Sequence, residues 1–97
     1  MLNVVALCGK IKALPEKNNY IPAANENRLM TIAVQRNFQN SEGDYDQDIF
    51  EVLLWRGISE EISERCRIGD VISLRGRIQS VDQKIMIIAE QVNLLPK

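Results

Sequence analysis

Residues 48–56 read Asp-Ile-Phe-Glu-Val-Leu-Leu-Trp-Arg, and this stretch decides the fold. Apolar residues alternate along it, which is typical of a β-strand. Its next-to-last residue, Trp55, is the only Trp of the chain. The alternation predicts two largely apolar faces, one with Ile49, Glu51, Leu53 and Trp55, the other with Phe50, Val52 and Leu54. One face can line a core. The other then presents an aromatic on an open sheet surface, where it stacks on a ligand or is covered by a partner.

The composition bounds the class of protein. A chain of 97 residues with a net charge of −1 predicts one domain, residues 1–97, with one core and no strongly basic surface. The chain has no His, no Gly-rich phosphate loop and no nucleophile motif, so we expect no enzyme, no cofactor and no metal site. Cys8 and Cys66 are expected to be buried small hydrophobes. Without a signal peptide or a membrane-length apolar run, the predicted location is the cytoplasm.

Three strands are predicted before the helix. Residues 4–11 form the first, where Gly9 indicates a bulge or a sharp bend. Residues 14–27 contain two Pro and four Asn and are predicted to be an irregular connection. Residues 29–38 and 48–56 form the second and third strands, joined by a turn at 40–44 in which Gly43 can adopt positive φ.

One helix and two further strands follow. The helix is predicted over residues 59–67, capped by Ser59, with Glu60 and Glu61 in its first turn and Gly69 as its stop. The fourth strand covers 71–79, with Ile72, Leu74 and Ile78 facing in and Ser73, Arg75, Arg77 and Gln79 facing out. A turn at 80–83 leads to a fifth strand at 84–89, which residues 92–95 either end or follow as a separate piece.

The order of these elements predicts the fold. Three strands, a helix and two strands are typical of an all-β protein with one short helix, the five-stranded OB-fold Greek-key barrel. An SH3-like barrel is the alternative, although it does not usually place a helix between its third and fourth strands.

Several groups of residues also carry a family resemblance. They are Met-Leu-Asn at 1–3 with Val5, Leu7, Gly9 and Lys10; Pro-Glu at 15–16 with Tyr20 and Pro22; Thr-Ile-Ala-Val-Gln-Arg at 31–36 with Phe38; residues 48–56; and Gly-Asp-Val-Ile-Ser-Leu-Arg-Gly-Arg-Ile-Gln at 69–79. In this order they resemble the DNA-binding domain of bacterial single-stranded DNA-binding proteins over nearly the whole chain. The resemblance implies an OB fold that oligomerises through sheet surfaces and binds single strands by base stacking and phosphate contacts.

The resemblance places Phe38 and Trp55 where the family carries stacking aromatics. Eight cations could line a phosphate path or could be ordinary solvated side chains, and we expect about half of them to matter. They are Lys10, Lys12, Arg28, Arg36, Arg56, Arg75, Arg77 and Lys84. The predicted nucleic-acid-binding set is Trp55, Phe38, Arg36, Arg56, Arg75, Arg77, Lys10 and Lys84. Without the resemblance, Trp55 is equally well explained as an interface or core aromatic, and Phe38 as a core residue. Asp44, Asp46 and Asp48 fit a polar hairpin tip better than a metal site.

The chain also departs from the family pattern. Ile49 stands where an aromatic is usual, and Glu51 on the same face would repel phosphate. The turn at 80–83 is much shorter than the family's long hairpin, and the last residues, Leu-Leu-Pro-Lys, differ from its acidic C-terminal tail. These departures predict weaker binding with less wrapping of the strand, as in a shortened relative comparable to primosomal accessory proteins.

The predicted function is sequence-independent binding of single-stranded DNA in replication, recombination or repair, by a homo-oligomer of two or four copies. The alternatives are an OB-fold protein-interaction or primosome accessory module and an RNA-binding OB domain. Stacking is common to DNA and RNA, so these residues do not separate the two. Replication proteins are candidate partners, and no membrane is expected.

Overall fold

The computed structural model describes residues 1–17 and 28–94. Its elements are β1 (Val5–Lys17), β2 (Arg28–Gln39), β3 (Tyr45–Leu54), α1 (Arg56–Arg65), β4 (Val71–Val81) and β5 (Lys84–Leu94). The strands close a barrel in the order β1-β2-β3-β5-β4, with the ring completed by antiparallel pairing of β1 with β4. The predicted five-stranded OB-fold Greek-key barrel with one short helix is confirmed.

The core lies inside the barrel and under the helix. On β3 the inward residues are Val52 and Leu54, which pack with Met30 and Ile32 of β2 and Ile87 of β5. The helix adds the predicted apolar stripe of Ile58, Ile62 and Cys66, because residues four apart lie on one side of a helix. The alternation predicted for β3 is therefore confirmed over residues 49–54, where Phe50, Val52 and Leu54 face the core. Ile49 and Glu51 are exposed on the other side, where Leu53 is buried.

The helix begins and ends earlier than the sequence pattern indicates. It starts at Arg56, with Trp55 in the N-cap position and no side-chain cap, so the prediction that Ser59 caps it is wrong. The buried Ser59 hydroxyl instead donates to the Arg56 carbonyl, at 2.8 Å. Glu60 and Glu61 consequently fall outside the first turn. Gly69 does adopt positive φ, but in a turn after the helix has ended at Arg65.

The two hairpin turns differ in length. Gly43 has a φ of 84° in the first turn, as predicted. The second turn consists of Asp82 and Gln83 alone, with φ of 47° and 68°, so β4 and β5 run on to the residues beside it. Positive φ at both central residues is the geometry of a tight hairpin whose twist matches its strands. β5 is one continuous strand through Leu94, and residue 95 lies outside the described part of the chain.

The first strand is longer than predicted and continues to Lys17, so the expected irregular connection does not begin at residue 14. Residues 18–27 lie outside the described part of the chain. Gly9 marks a close approach of strands rather than the expected bulge or bend, because a Cβ there would lie 2.6 Å from the Ala33 carbonyl oxygen. The register shifts fall later, on either side of Ala13.

Two burial predictions are wrong. Cys8 is exposed on the outer side of β1, while Cys66 is buried as expected. Burial is the largest of the causes that raise the pKa of the Cys66 thiol. Ile78 has the parity of a core residue but is 43% exposed, because the hairpin of β4 and β5 continues past the level at which β1 begins to pair at Val5.

The β2–β3 hairpin also projects beyond the barrel. Pairing of β1 with β2 ends at Lys10 and Ala33, so residues 34–48 pair only with each other. We call residues 34–48 the hairpin arm. Of the helices in the described residues, none has the length and apolar character needed to cross a membrane.

Candidate nucleic-acid interface

An apolar row of cross-strand partners crosses four strands on the side opposite the barrel core, and most of its surface is covered. Cross-strand partners share a face, and Leu29 of β2 pairs with Leu53, Leu53 with Ile88 of β5, and Ile88 with Arg77 of β4. Trp55 lies on the same side of β3, two residues beyond Leu53. We define the Trp55 face as Leu29, Ile49, Glu51, Leu53, Trp55, Arg77 and Ile88, which lie on the side of their strands opposite the barrel core. Leu53 is nonetheless buried, with 4% of its surface exposed, and Leu29 and Ile88 are half-buried.

Trp55 stands at the junction of β3 and α1. Its backbone is extended and its carbonyl accepts the Ser59 amide at 3.0 Å, which ties its position to the start of the helix. Gly57 borders the indole, since a Cβ there would lie 3.7 Å from the indole Nε1, in van der Waals contact. The side chain itself is 42% exposed. A partly exposed ring on a fixed backbone is suited to stacking, because little freedom is lost on binding.

The other end of the Trp55 face is less suited to bind a polyanion. Ile49 pairs with Ala33 of β2, and its aliphatic side chain is 51% exposed to solvent. Glu51 is exposed opposite Thr31 and borders a small groove with Lys84 and Met86. The predicted departures at both positions therefore lie on the surface of the same face as Trp55.

Phe38 is not brought to the Trp55 face. It is 66% exposed on the hairpin arm, next to the pair formed by Gln39 and Tyr45. Ten residues of extended chain separate Tyr45 from Trp55, which is roughly 30 Å at the rise of a β-strand. One nucleobase cannot contact both aromatics of a single protomer.

Arg36 is held by carboxylates of the same arm. Its Nε donates to both carboxylate oxygens of Asp48, at 3.2 and 3.1 Å, and its Nη2 donates to Oδ1 at 2.8 Å. The Nη1 atom lies 3.8 Å from Oδ2 of Asp46. The hydrogen bond from Arg36 is the largest cause that lowers the pKa of Asp48, and the same hydrogen bond raises the pKa of Arg36.

Two more predicted arginines have acidic neighbours. On the Trp55 face, Arg77 lies 3.7 Å from Glu90 through Nε and donates from Nη1 to Gln79. Arg56, beside Trp55, donates from Nε to Glu60 at 3.0 Å, one helical turn away. These two pairs and the pair of Arg36 with Asp48 are all solvent-exposed, so each contributes little to stability. Their effect is to neutralise the charge that a phosphate would meet.

The remaining predicted cations lie around the barrel. Lys10 is exposed and pairs across to Ala33, which in turn pairs with Ile49 of the Trp55 face. Arg75 is exposed beside Ala6, on the side of the barrel formed by β1 and β4. Neither Lys10 nor Arg75 forms an ion pair with another residue of the described ranges. Lys84 begins β5 next to Glu51.

Sequence reasoning missed two kinds of residue. Leu29 and Ile88 complete the apolar row, and the alternation within β2 and β5 carried that signal. The carboxylates Asp48 and Glu90 are paired with arginines across strands, which depends on the register of each pairing. Only Glu60 could have been found locally, from its spacing of four residues after Arg56.

The helix side of the barrel carries a separate groove of about 690 Å³. Ile58 and Cys66 line it from the helix side, and Val92 and Leu94 from the end of β5. None of its lining residues belongs to the Trp55 face. Among the described residues, no group of three or more metal-ligating side chains lies together, and we assign no metal site.

The chain is similar to known proteins in both sequence and fold. The model of the single-strand binding protein family matches residues 2–93. Single-stranded DNA-binding protein 1 of Streptococcus pyogenes is 34% identical over 80 residues, covering 82% of this chain and 61% of that protein. Single-stranded DNA-binding protein B of Bacillus subtilis is 32% identical over 80 residues, covering 82% of this chain and 70% of that protein. The chain spans about half the length of several other relatives it matches.

Solved structures agree on the fold. A small single-stranded DNA-binding protein from Mycoplasma pneumoniae superposes with a TM-score of 0.71 at 22% identity, covering 96% of this chain and 93% of that one. One from Streptomyces coelicolor gives a TM-score of 0.66 at 14% identity, covering 97% of this chain and 94% of that one.

Proposed function

Because this chain belongs to the single-strand binding protein family, we propose that it binds single-stranded DNA with little sequence preference, in replication, recombination or repair. The observation that carries the proposal is the exposed ring of Trp55 on the face that also holds the apolar row and Arg77. A strand on this face would stack a base on Trp55 and lie over the half-buried Ile88, since Leu53 beside it is only 4% exposed. Stacking does not read base identity, since every base has a π-face.

Phosphate contacts in this proposal come from cations on or beside the Trp55 face and from Arg75 on the side of the barrel formed by β1 and β4. Lys10 and Arg75 carry no competing carboxylate among the described residues, and Arg77 has only the distant one of Glu90. We assign weaker roles to Arg56 and Arg36, whose charges are already engaged by Glu60 and Asp48. Phe38 stays a proposed second stacking site, for a nucleotide well removed from the one on Trp55.

The proposed state is a homo-oligomer of OB domains, each spanning residues 1–97, without enzymatic activity and located in the cytoplasm. The start of β1 supports the oligomer. Residues 5–9 pair with β4 on one side, but pairing with β2 begins only at Lys10, so one edge of this segment has no strand beside it among the described residues. Open strand edges favour pairing with another chain. Sedimentation that shows a monomer at micromolar concentration would remove this part of the proposal.

A protein-interaction module, such as a primosome accessory domain, is the second candidate. The observation that favours it is the exposed Ile49 with Glu51 beside it, a pair better matched to a protein surface than to a polyanion. In that case a partner protein, or a second copy of the chain, would cover the Trp55 face.

The test uses the single Trp of the chain as a reporter. Titration with oligo-dT at two salt concentrations should quench the fluorescence of Trp55, with weaker binding at the higher salt. Oligo-U and duplex DNA of equal length are the matched ligands. Equal binding of oligo-U would extend the proposal to RNA. Unchanged fluorescence at saturating oligo-dT, or a preference for duplex, would favour the interaction module.

A further inference from the structure

The contact between Arg36 and Asp48 has the geometry of phosphate recognition, but a carboxylate of the same chain takes the place of the phosphate. Three N–H···O contacts between 2.8 and 3.2 Å join the guanidinium to Asp48. Carboxylate and phosphate use the same fork of arginine donors, so both cannot occupy it at once.

A second carboxylate is held in place beside this contact. The Asn40 Nδ2 donates to Oδ1 of Asp46 at 3.0 Å, while the Asn40 Oδ1 accepts the amides of Glu42 and Asp44. The turn of the hairpin arm therefore directs Asp46 toward the Nη1 side of Arg36, at 3.8 Å. Both sides of the guanidinium face acidic groups whose position is set by the hairpin.

The charges of the arm oppose a polyanion as a whole. Arg36 is the only cation in residues 34–48, against Glu42, Asp44, Asp46 and Asp48, which gives a net charge of 1 − 4 = −3. A phosphate that approached Arg36 would have to displace Asp48 and accept the repulsion of the other three carboxylates. Such a site releases fewer counterions than its single arginine would suggest.

We propose that Asp48 is an internal competitor that keeps Arg36 from binding the phosphate backbone. The inference rests on the proposed function, because it concerns how strongly the chain holds a single strand. Asp48 acts through Arg36 and is a positioning residue. Its presence limits affinity on the hairpin arm and leaves binding to the Trp55 face.

The substitution Asp48→Asn tests this directly, because it keeps the shape of the side chain and removes its charge. The amide introduced by this substitution can accept a hydrogen bond from Arg36 but no longer neutralises it. One additional phosphate contact should steepen the plot of log affinity against log salt by about 0.7, which is about a fivefold gain in oligo-dT affinity near 0.1 M salt. Asp48→Glu retains the carboxylate and should behave as the wild type.

Two further variants separate this effect from a general loss of negative charge. Asp44→Asn removes the same charge from the same arm, but the Asp44 carboxylate forms no ion pair with Arg36, so the slope should stay at its wild-type value. In the double variant Arg36→Gln with Asp48→Asn, the gain should disappear. A gain shared equally by Asp44→Asn, or one that persists in the double variant, would overturn the inference.

The outcomes also separate this inference from the proposed function. If the wild type binds oligo-dT and Asp48→Asn changes neither the affinity nor the slope, the inference is wrong and the proposed function stands. If neither protein binds oligo-dT at any salt concentration, both are overturned together.

Discussion

The hairpin arm and the Trp55 face each present an exposed aromatic, yet their surroundings are opposite. Phe38 is more exposed than Trp55, at 66% against 42%, but it shares its arm with four carboxylates and one neutralised arginine. Trp55 adjoins an apolar row that ends at Arg77. We therefore expect exposure alone to be a poor guide to the stacking residues of this chain. We propose that the charges around each ring decide whether a phosphate backbone can follow the base.

The two regions also differ in how tightly they are built. Behind the Trp55 face, β4 and β5 approach so closely that a Cβ at Gly76 would overlap the Ile88 carbonyl oxygen. At the tip of the arm, a Cβ at Gly43 would meet nothing within 4 Å. Substitutions at these glycines separate the contribution of the barrel from that of the arm.

The largest expected effect is that of Gly76→Ala. The added methyl group would clash with the Ile88 carbonyl, a backbone group that cannot move away as a side chain could. We therefore expect a loss of roughly 3 kcal/mol in the free energy of unfolding, the upper end for overpacking. Gly43→Ala is the matched variant and should cost roughly 1 kcal/mol, from its positive φ alone. Urea denaturation measures both. Equal losses would mean that the barrel is no more tightly packed than the arm.

The next effect distinguishes the two aromatics. Trp55→Ala should weaken oligo-dT binding by roughly 1–3 kcal/mol, the value of one stacked base. Phe38→Ala should weaken it by less than about 1 kcal/mol, because the acidic arm disfavours the phosphates on either side of the stacked base. Anisotropy of a labelled oligonucleotide measures both variants, with circular dichroism as the control for folding. A larger loss at Phe38 would reverse the comparison between the two regions.

A smaller effect concerns the cations. Arg75→Gln should flatten the plot of log affinity against log salt by about 0.7, the contribution of one phosphate on a single strand. Arg77→Gln should flatten it by less, because Glu90 lies 3.7 Å from the Arg77 Nε and already offsets part of its charge. The discriminating measurement is the difference between the two slopes. If Arg77→Gln flattens the plot more, the carboxylate of Glu90 does not weaken that contact.

The smallest effect is the titration of Asp48. Arg36 lowers the pKa of Asp48 in the folded protein, so the ion pair contributes stability above the pKa of the unfolded chain and loses it as pH falls through the folded value. Because both side chains are exposed, the change in stability is small and the pKa itself is the better measurement. Carboxyl NMR should show the pKa of Asp48 below its ordinary value, and Arg36→Gln should raise it.

Part of the fold follows from local patterns. Alternation in residues 48–56 predicts the two faces of β3, and the spacing of Ile58, Ile62 and Cys66 predicts the buried stripe of the helix. Both predictions are confirmed, since the periods of strand and helix are set by local backbone geometry. The predicted helix start was wrong because Ser is a common N-cap residue. In the structure Ser59 lies inside the helix, where its buried hydroxyl donates to the Arg56 carbonyl.

The alternation and order of the elements were enough to predict a five-stranded OB-fold barrel, because each strand must bury one face in the core. The stacking role proposed for Trp55 came from the family resemblance. Alternation and element order could not locate the carboxylates that engage Arg36 and Arg77. Arg36 meets Asp48 and Arg77 meets Glu90 only because cross-strand register brings residues 12 and 13 positions apart into contact. Which cations remain available to a phosphate is therefore decided by the tertiary structure, since charges interact through space and not along the sequence.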